Sequence, residues 1–175
     1  MTEADPAHQT LMHAALTEAR AAAARGEVPV GAVVYRLTDH TVVSRAHNLR
    51  EIDADPTAHA EVLALRAAAA DRGVWRLEGY GLAVTLEPCP MCAGAIVNAR
   101  IDELVYGAPD PMMGCVHTLH TLCDEPRFNH RVPRVVGGVR ADEAAELLRS
   151  FFRARRGKHR PPKPGPGRVR ERPTK

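Results

Sequence analysis

Two short segments of the chain carry side chains that could bind a metal ion and move protons. The first, "PTAHAEVLALR", places a His-x-Glu pair at His59 and Glu61. The second, "TLEPCPMCAGA", places a Cys-x-x-Cys pair at Cys89 and Cys92. Imidazole nitrogen and thiolate sulfur are zinc ligands, and a carboxylate suits proton transfer. An ordinary helical core needs neither pair.

Both segments also carry the signals of a helix start. Asp55 and Pro56 precede the first pair, and Pro88 and Pro90 flank the first cysteine of the second. Residues two apart on a helix lie on nearly opposite faces, so the histidine and the glutamate can share a site only off the helix end. The cysteines, three apart, lie on one face. We therefore expect two helix starts to point at one ion, with dipoles that favour the thiolate forms.

Three protein ligands indicate a catalytic rather than a structural metal site. Structural zinc sites are closed by four ligands, whereas catalytic sites keep a position for water. Two thiolates reduce the acidity of the metal, so the bound water should need a nearby base, and Glu61 has that position. Alone, a Cys-x-x-Cys pair is equally explained by redox chemistry or packing. Together, at paired helix starts, the motifs predict catalytic zinc.

The composition is that of a single globular domain. The chain has 175 residues, of which 45% are hydrophobic and 26% charged. No apolar run approaches the length of a membrane span, and the polar start "MTEADPAHQT" does not resemble a secretory signal. Four cysteines without such a signal favour a reducing compartment. We expect a cytoplasmic protein with no membrane contact.

Charge is unevenly distributed along the chain. Residues 149–175 carry 11 Lys and Arg but a single acidic residue, whereas residues 1–148 are net negative. Such a basic end favours a phosphate-bearing partner, although a solvated, disordered terminus would have the same composition. Residues 158–175 are rich in Pro, Gly and Arg and are predicted to be disordered. The folded domain is predicted to span residues 1–157.

Hydrophobic periodicity predicts the element order α-β-β-α-β-α-β-(α)-β-α. The first helix is expected over residues 6–25, the second over 57–73, and an amphipathic helix, "ADEAAELLRSFFRARRG", ends the domain. Between residues 110 and 132 the pattern predicts only mixed helix and loop. Strands that alternate with helices imply parallel crossovers, and hence a three-layer α/β/α domain around a mixed five-stranded sheet.

The sequence resembles the cytidine deaminase-like zinc hydrolases and, within them, the bacterial tRNA-specific adenosine deaminases. The resemblance covers residues 8–157 and rests on several segments in the same order. They are "GEVPVGAVV", "DPTAHAEVLALR", "TLEPCPMCAGAI", "LVYGAPD", "NHRV" and "FFRARR". It is specific, because several of these segments are not needed to bind zinc. It implies the cytidine deaminase-like fold and a homodimer.

The resemblance further implies hydrolysis of adenosine to inosine at the wobble position, in the anticodon loop of tRNA. By position, His59, Cys89 and Cys92 would hold Zn²⁺. Zinc-bound hydroxide would be the nucleophile, and Glu61 would shuttle protons. The substrate contacts implied by position are Asn48 to the flipped base, Val30 and Leu86 along the pocket, and Arg153, Arg155 and Arg156 toward the RNA.

One stretch departs from the family pattern. After "GAPD" the family continues with a basic, glycine-rich run, but residues 111–123 read "PMMGCVHTLHTLC", without Lys or Arg. This leaves open a deaminase of a free nucleobase or nucleoside, such as guanine or cytosine. A non-catalytic RNA-binding zinc module is a further alternative, against which Glu61 and the missing fourth ligand argue. The stretch contains four possible ligands, Cys115, Cys123, His117 and His120, but their spacing favours packing over a second metal site.

Overall fold

The computed structural model describes residues 5–158. The helices in this range are α1 (Pro6–Ala24), α2 (Ala60–Arg72), α3 (Pro90–Ala99) and α4 (Ala141–Lys158). The strands are β1 (Gly31–Arg36), β2 (Val42–His47), β3 (Tyr80–Leu86), β4 (Glu103–Ala108) and β5 (Arg134–Val136). The helix expected between the last two strands is a short 3₁₀ helix, Leu122–Asp124, within a segment that consists mostly of turns.

The five strands form one mixed sheet in the order β2-β1-β3-β4-β5. Strand β1 runs antiparallel to both β2 and β3, whereas β3, β4 and β5 are parallel. A parallel pair needs a crossover connection, which α3 supplies between β3 and β4. The predicted five-stranded mixed sheet is therefore confirmed.

Helices cover both faces of this sheet. Helices α1 and α4 pack on one face, over a core that includes Leu11, Leu16, Val33, Val105 and Ala144. Helices α2 and α3 pack on the other face, over Leu65, Leu77, Leu82, Ile96 and Leu104. This confirms the three-layer α/β/α architecture, in which each helix buries its apolar side against the sheet.

Helix α1 approaches β1 closely at the first residue of the strand. A Cβ atom at Gly31 would lie 2.1 Å from the carbonyl oxygen of Ala15, so only glycine permits this contact. The helix begins where Asp5 accepts a hydrogen bond from the backbone N–H of Ala7, with Pro6 in its first turn. The close packing fixes the end of β1 that lies next to the cavity described below.

The C-terminal helix α4 reaches residue 158, one residue beyond the predicted domain end. The rest of the predicted basic tail lies outside the described residues. Within residues 5–158, none of the helices has both the length and the apolar composition that a membrane crossing requires.

Candidate active site

The two predicted metal-binding pairs lie at the starts of α2 and α3. His59 is the N-cap of α2, with extended backbone angles of φ −78° and ψ 149°, and Glu61 follows in the first turn. Cys89 is the N-cap of α3, and Cys92 lies in its first turn. Helix α2 thus begins at residue 60 rather than at residue 57, where the sequence predicted it. The later start places the imidazole outside the helix, so that it can share a site with residues of α3.

The three candidate ligand atoms form a compact cluster. His59 Nδ1 lies 3.7 Å from Cys89 Sγ and 3.5 Å from Cys92 Sγ, and all three atoms lie within 4.8 Å of one another. In a tetrahedral zinc site, bond lengths of about 2.0–2.3 Å separate neighbouring ligand atoms by roughly 3.5–3.8 Å. The cluster therefore fits Zn²⁺. Among residues 5–158 it is also the sole group of three such side chains close enough to hold a metal ion.

The electrostatics of the cluster suit metal binding and proton transfer. The thiol of Cys92 donates a hydrogen bond to the sulfur of Cys89, and this bond is the main cause that lowers the pKa of Cys89 to about 4. The same hydrogen bond is the main cause that raises the pKa of Cys92. Glu61 is 4% exposed, and its burial raises its pKa above the usual value. A raised pKa makes a carboxylate a better proton acceptor than an exposed one, which suits a group that takes up and hands on protons.

An open cavity lies in front of this cluster. Its walls include His59, Glu61 and Cys89 together with three residues predicted to contact substrate, Val30, Asn48 and Leu86. Further wall residues, which the sequence did not identify, are Val28, Arg50, Glu87, Asp110, Met113 and Phe152. The cavity therefore brings the predicted catalytic and base-binding residues together around one space.

The orientation of Asn48 in this cavity is fixed by a buried carboxylate. Asn48 Nδ2 donates to Glu27 Oε2 at 2.9 Å, and the backbone N–H of Ile52 donates to Glu27 Oε1 at 2.7 Å. Since a carboxylate only accepts, the amide nitrogen of Asn48 must face Glu27. Nothing in the sequence indicated that Glu27 would be buried, because its partners come from a distant turn. It is a positioning residue for Asn48.

A second buried carboxylate, Glu87, shapes another part of the cavity wall. It accepts hydrogen bonds from the backbone N–H groups of Val116, His117 and Thr118, and from that of Asp110. Burial would raise the pKa of Glu87, but these hydrogen bonds and one from the Thr118 hydroxyl lower it to about 2. Glu87 thus stays ionised and fastens the segment from residue 110 to 118, which we call the mouth loop, to the end of β3.

The cysteines and histidines of the divergent stretch lie apart from the metal cluster. Cys115 and Cys123 are buried in the core beneath α3, and His117 Nδ1 lies 2.8 Å from the Tyr106 hydroxyl. His120 lies in a separate polar depression on the surface. Their positions are those of packing and surface residues rather than of a second metal site.

The three arginines predicted to contact RNA lie beside the cavity rather than in it. Arg153, Arg155 and Arg156 are exposed near the end of α4, and none of them lines the cavity. Arg153 pairs with Glu146 at 2.9 Å, and the Arg155 guanidinium lies 5.2 Å from the centre of the Phe151 ring. The wall residue contributed by this helix is Phe152, so α4 presents an aromatic ring to the cavity and cations around it.

Fold and site together define a zinc-dependent deaminase. The family model for the cytidine and deoxycytidylate deaminase zinc-binding region matches residues 5–108, a range that contains the whole metal cluster and Glu61. The chain belongs to this family. Zn²⁺ is accordingly its cofactor, as the sequence predicted.

Proteins similar to this chain include deaminases named for tRNA and for guanine. The tRNA-specific adenosine deaminase of Bacillus subtilis (strain 168) is 49% identical over 147 residues, which cover 84% of this chain and 89% of that protein. A solved structure from work on A-to-I editing by tRNA:A34 deaminases is 45% identical, with a TM-score of 0.74, and covers 79% of this chain and 99% of that one. A guanine deaminase from Nitrosomonas europaea is 25% identical, with a TM-score of 0.71 and 86% coverage of both chains. The predicted family resemblance is confirmed.

Proposed function

We propose that the protein converts adenosine to inosine at the wobble position of tRNA. The observation that carries this proposal is the cluster of His59, Cys89 and Cys92 beside the buried Glu61, at the base of a cavity open to a nucleobase. The similarity to tRNA-specific adenosine deaminases over most of both chains supports tRNA as the substrate. Incubation of tRNA with the purified protein, followed by mass analysis of the nucleosides, tests it.

The residues of the site divide the chemistry between metal binding and proton transfer. We propose His59, Cys89 and Cys92 as the zinc ligands. When bound, zinc lowers the pKa of water and so supplies hydroxide near neutral pH. The Glu61 carboxylate accepts the proton that this water loses and delivers it to a ring nitrogen of the base. The oxygen of the water would bond to the carbon that carries the exocyclic amine. Glu61 would then pass the remaining proton of that oxygen to the amine, so that the C–N bond breaks, ammonia leaves and the carbonyl group of inosine forms.

The cavity accepts a base only after it has left its stack. The reacting carbon of adenosine is inaccessible within a stacked loop, so the nucleotide must be splayed out to reach Glu61. Asn48, held by Glu27, then hydrogen-bonds the base, while Val30 and the backbone at Leu86 form apolar and polar walls around it. These proposed contacts are supported by the fact that Asn48, Val30 and Leu86 line the same cavity as Glu61.

A second candidate function is deamination of a free base such as guanine. The observation that favours it is the divergent stretch of residues 111–123, because it contains no Lys or Arg to attract phosphate. The likeness to a guanine deaminase is also compatible with it. The same mass analysis decides between the two, since free guanine and cytosine can be offered in parallel with tRNA. Deamination of a free base without inosine in tRNA would establish this second function.

We propose a homodimer formed through the surface between α2 and α3. A largely apolar surface depression there is lined by Val62, Leu65, Ala69, Trp75, Ala95 and Ala99, with Arg66 and Asn98 as its polar residues. Exposed apolar surface of this kind is typical of protein contacts. Sedimentation of the purified protein tests the proposal, and a monomer at micromolar concentration would contradict it. We also propose a cytoplasmic location, because none of the four cysteines, all of which lie within residues 5–158, forms a disulfide.

The arginines of α4 should make RNA binding dependent on salt. Each phosphate neutralised on a single strand adds about −0.7 to the slope of log affinity against log salt. Replacing Arg153, Arg155 and Arg156 with Gln should therefore weaken binding of an anticodon stem-loop and flatten that slope by about 2. The rate at saturating substrate should stay near that of the wild type. Affinity measured across a salt series checks both expectations.

A suitable control is Arg36→Gln, because Arg36 is a half-exposed arginine at the far end of β1 from the cavity. This variant should keep the wild-type slope. Deletion of residues 158–175, which removes most of the remaining C-terminal charge, should flatten the slope further. If all four salt curves superimpose, the basic end of the chain makes no contact with RNA.

A further inference from the structure

The mouth loop holds its exposed residues on a rigid support. Besides the contacts to Glu87, Asp110 Oδ1 accepts the backbone N–H groups of Met112 at 2.9 Å and Met113 at 3.2 Å. A Cβ atom at Gly114 would lie 2.4 Å from a Glu87 carboxylate oxygen, so glycine is needed where the loop packs on that side chain. The backbone beneath the two methionines is therefore fixed by hydrogen bonds on both sides.

This rigid loop presents apolar side chains to solvent at the mouth of the active-site cavity. Met113 lines the cavity and is 51% exposed, and its neighbour Met112 is 77% exposed. Methionines exposed to this extent bury only part of their apolar surface, and so they add less to the stability of the fold than core residues do. A flexible, polarizable thioether at a site mouth is well suited to contact an aromatic ring. The position of these two side chains is better explained by a bound aromatic group than by stability.

Helix α4 supplies an aromatic ring to the same cavity. Phe152 lines it and is 44% exposed. The exposed Arg155 and Arg156 follow on the same helix. The mouth thus has an apolar lining from the loop and the ring, with cations at Arg50 and on the α4 side.

We propose that Met112, Met113 and Phe152 form a packing platform for the bases that flank the target nucleotide. Splaying out the target base removes the stacking partners of its neighbours, and apolar side chains at the mouth replace them. Because the mouth loop has no Lys or Arg, recognition on that side acts through base faces rather than phosphates. The platform rests on the proposed function, since only a polynucleotide substrate has flanking bases.

The test compares truncation of the platform with truncation of matched residues elsewhere. Met113→Ala and Phe152→Ala should each raise KM for an adenosine-containing anticodon stem-loop roughly tenfold, the scale of one lost base-stacking contact. Leu119→Ala and Phe128→Ala are the controls, because Leu119 is 50% exposed, Phe128 is 44% exposed, and neither lines the cavity. Both controls should keep the wild-type KM. Inosine formation by the wild type on the intact stem-loop reports separately on the proposed function.

A second substrate distinguishes a base contact from a general change at the site. A stem-loop with abasic positions on both sides of the target adenosine lacks the proposed partners of the platform. The KM of the wild type for this substrate should be at least as high as the KM of Met113→Ala for the intact stem-loop, and the two truncations should not raise the KM for the abasic substrate any further. If the truncations raise KM equally on intact and abasic substrates, or change it no more than the controls do, the platform does not contact flanking bases. Absence of inosine with wild type would overturn the proposed function itself.

Discussion

Replacement of Glu61 with Gln should lower the rate of inosine formation by roughly 10²–10⁴-fold. Glutamine has nearly the same shape as glutamate, but it can neither take a proton from water nor deliver one to the base. Glu61 is buried beside the metal cluster, and the same carboxyl group would serve successive proton transfers. Single-turnover measurement of inosine with the zinc-loaded variant checks the expected loss.

The zinc content and the melting temperature of this variant should stay close to those of the wild type, because Glu61 is not among the three clustered ligand atoms. Glu51→Gln provides the matched control, since Glu51 is an exposed carboxylate in the turn that precedes α2. It should turn over like the wild type. A Glu61→Gln enzyme with zinc bound and a rate within a few-fold of the control would show that another group moves the protons.

Loss of either metal-binding cysteine should remove both zinc and activity. The purified wild type should carry about one zinc per chain, the stoichiometry of a three-ligand catalytic site. Cys89→Ala or Cys92→Ala leaves two protein ligands, which cannot retain the ion through purification. Elemental analysis of the purified variants, together with the inosine assay, measures both losses.

The chain supplies its own control for this experiment. Cys115 and Cys123 are buried thiols outside the metal cluster, so Cys115→Ala and Cys123→Ala should keep full zinc. Their effect should be limited to a modest loss of stability from the small cavity that each leaves. Full zinc in both Cys89→Ala and Cys92→Ala would mean that the ion is held elsewhere.

The fold and the cluster of three candidate metal ligands could be predicted from the sequence because both depend on local signals. Strands of β-branched residues and helix-start residues such as Pro6 and Pro90 indicate elements over a few positions. The pairing of two helix starts followed from the helix-start residues together with the spacing within each motif. The start of α2 was predicted three residues too early, because His59 takes an extended conformation that its own sequence neighbours do not require.

The walls of the cavity were less accessible because they depend on contacts between distant segments. Glu27 reads as an ordinary surface acid, and its burial becomes apparent only when Asn48 and Ile52 meet it in space. The stretch from residue 110 to 132 lacks hydrophobic periodicity. Its conformation at the mouth is set by Glu87, a side chain that lies more than twenty residues earlier in sequence. No local pattern records such a contact.

The proposal that this zinc site acts on adenosine in tRNA is tested most directly by mass analysis of nucleosides from treated tRNA. Purified, zinc-loaded protein is incubated with an anticodon stem-loop that carries adenosine at the wobble position, and the Glu61→Gln variant is treated in parallel. We expect inosine to replace adenosine at that single position with the wild type, and almost none with the variant. A stem-loop that remains unchanged while free guanine or cytosine is deaminated under the same conditions would contradict tRNA as the substrate.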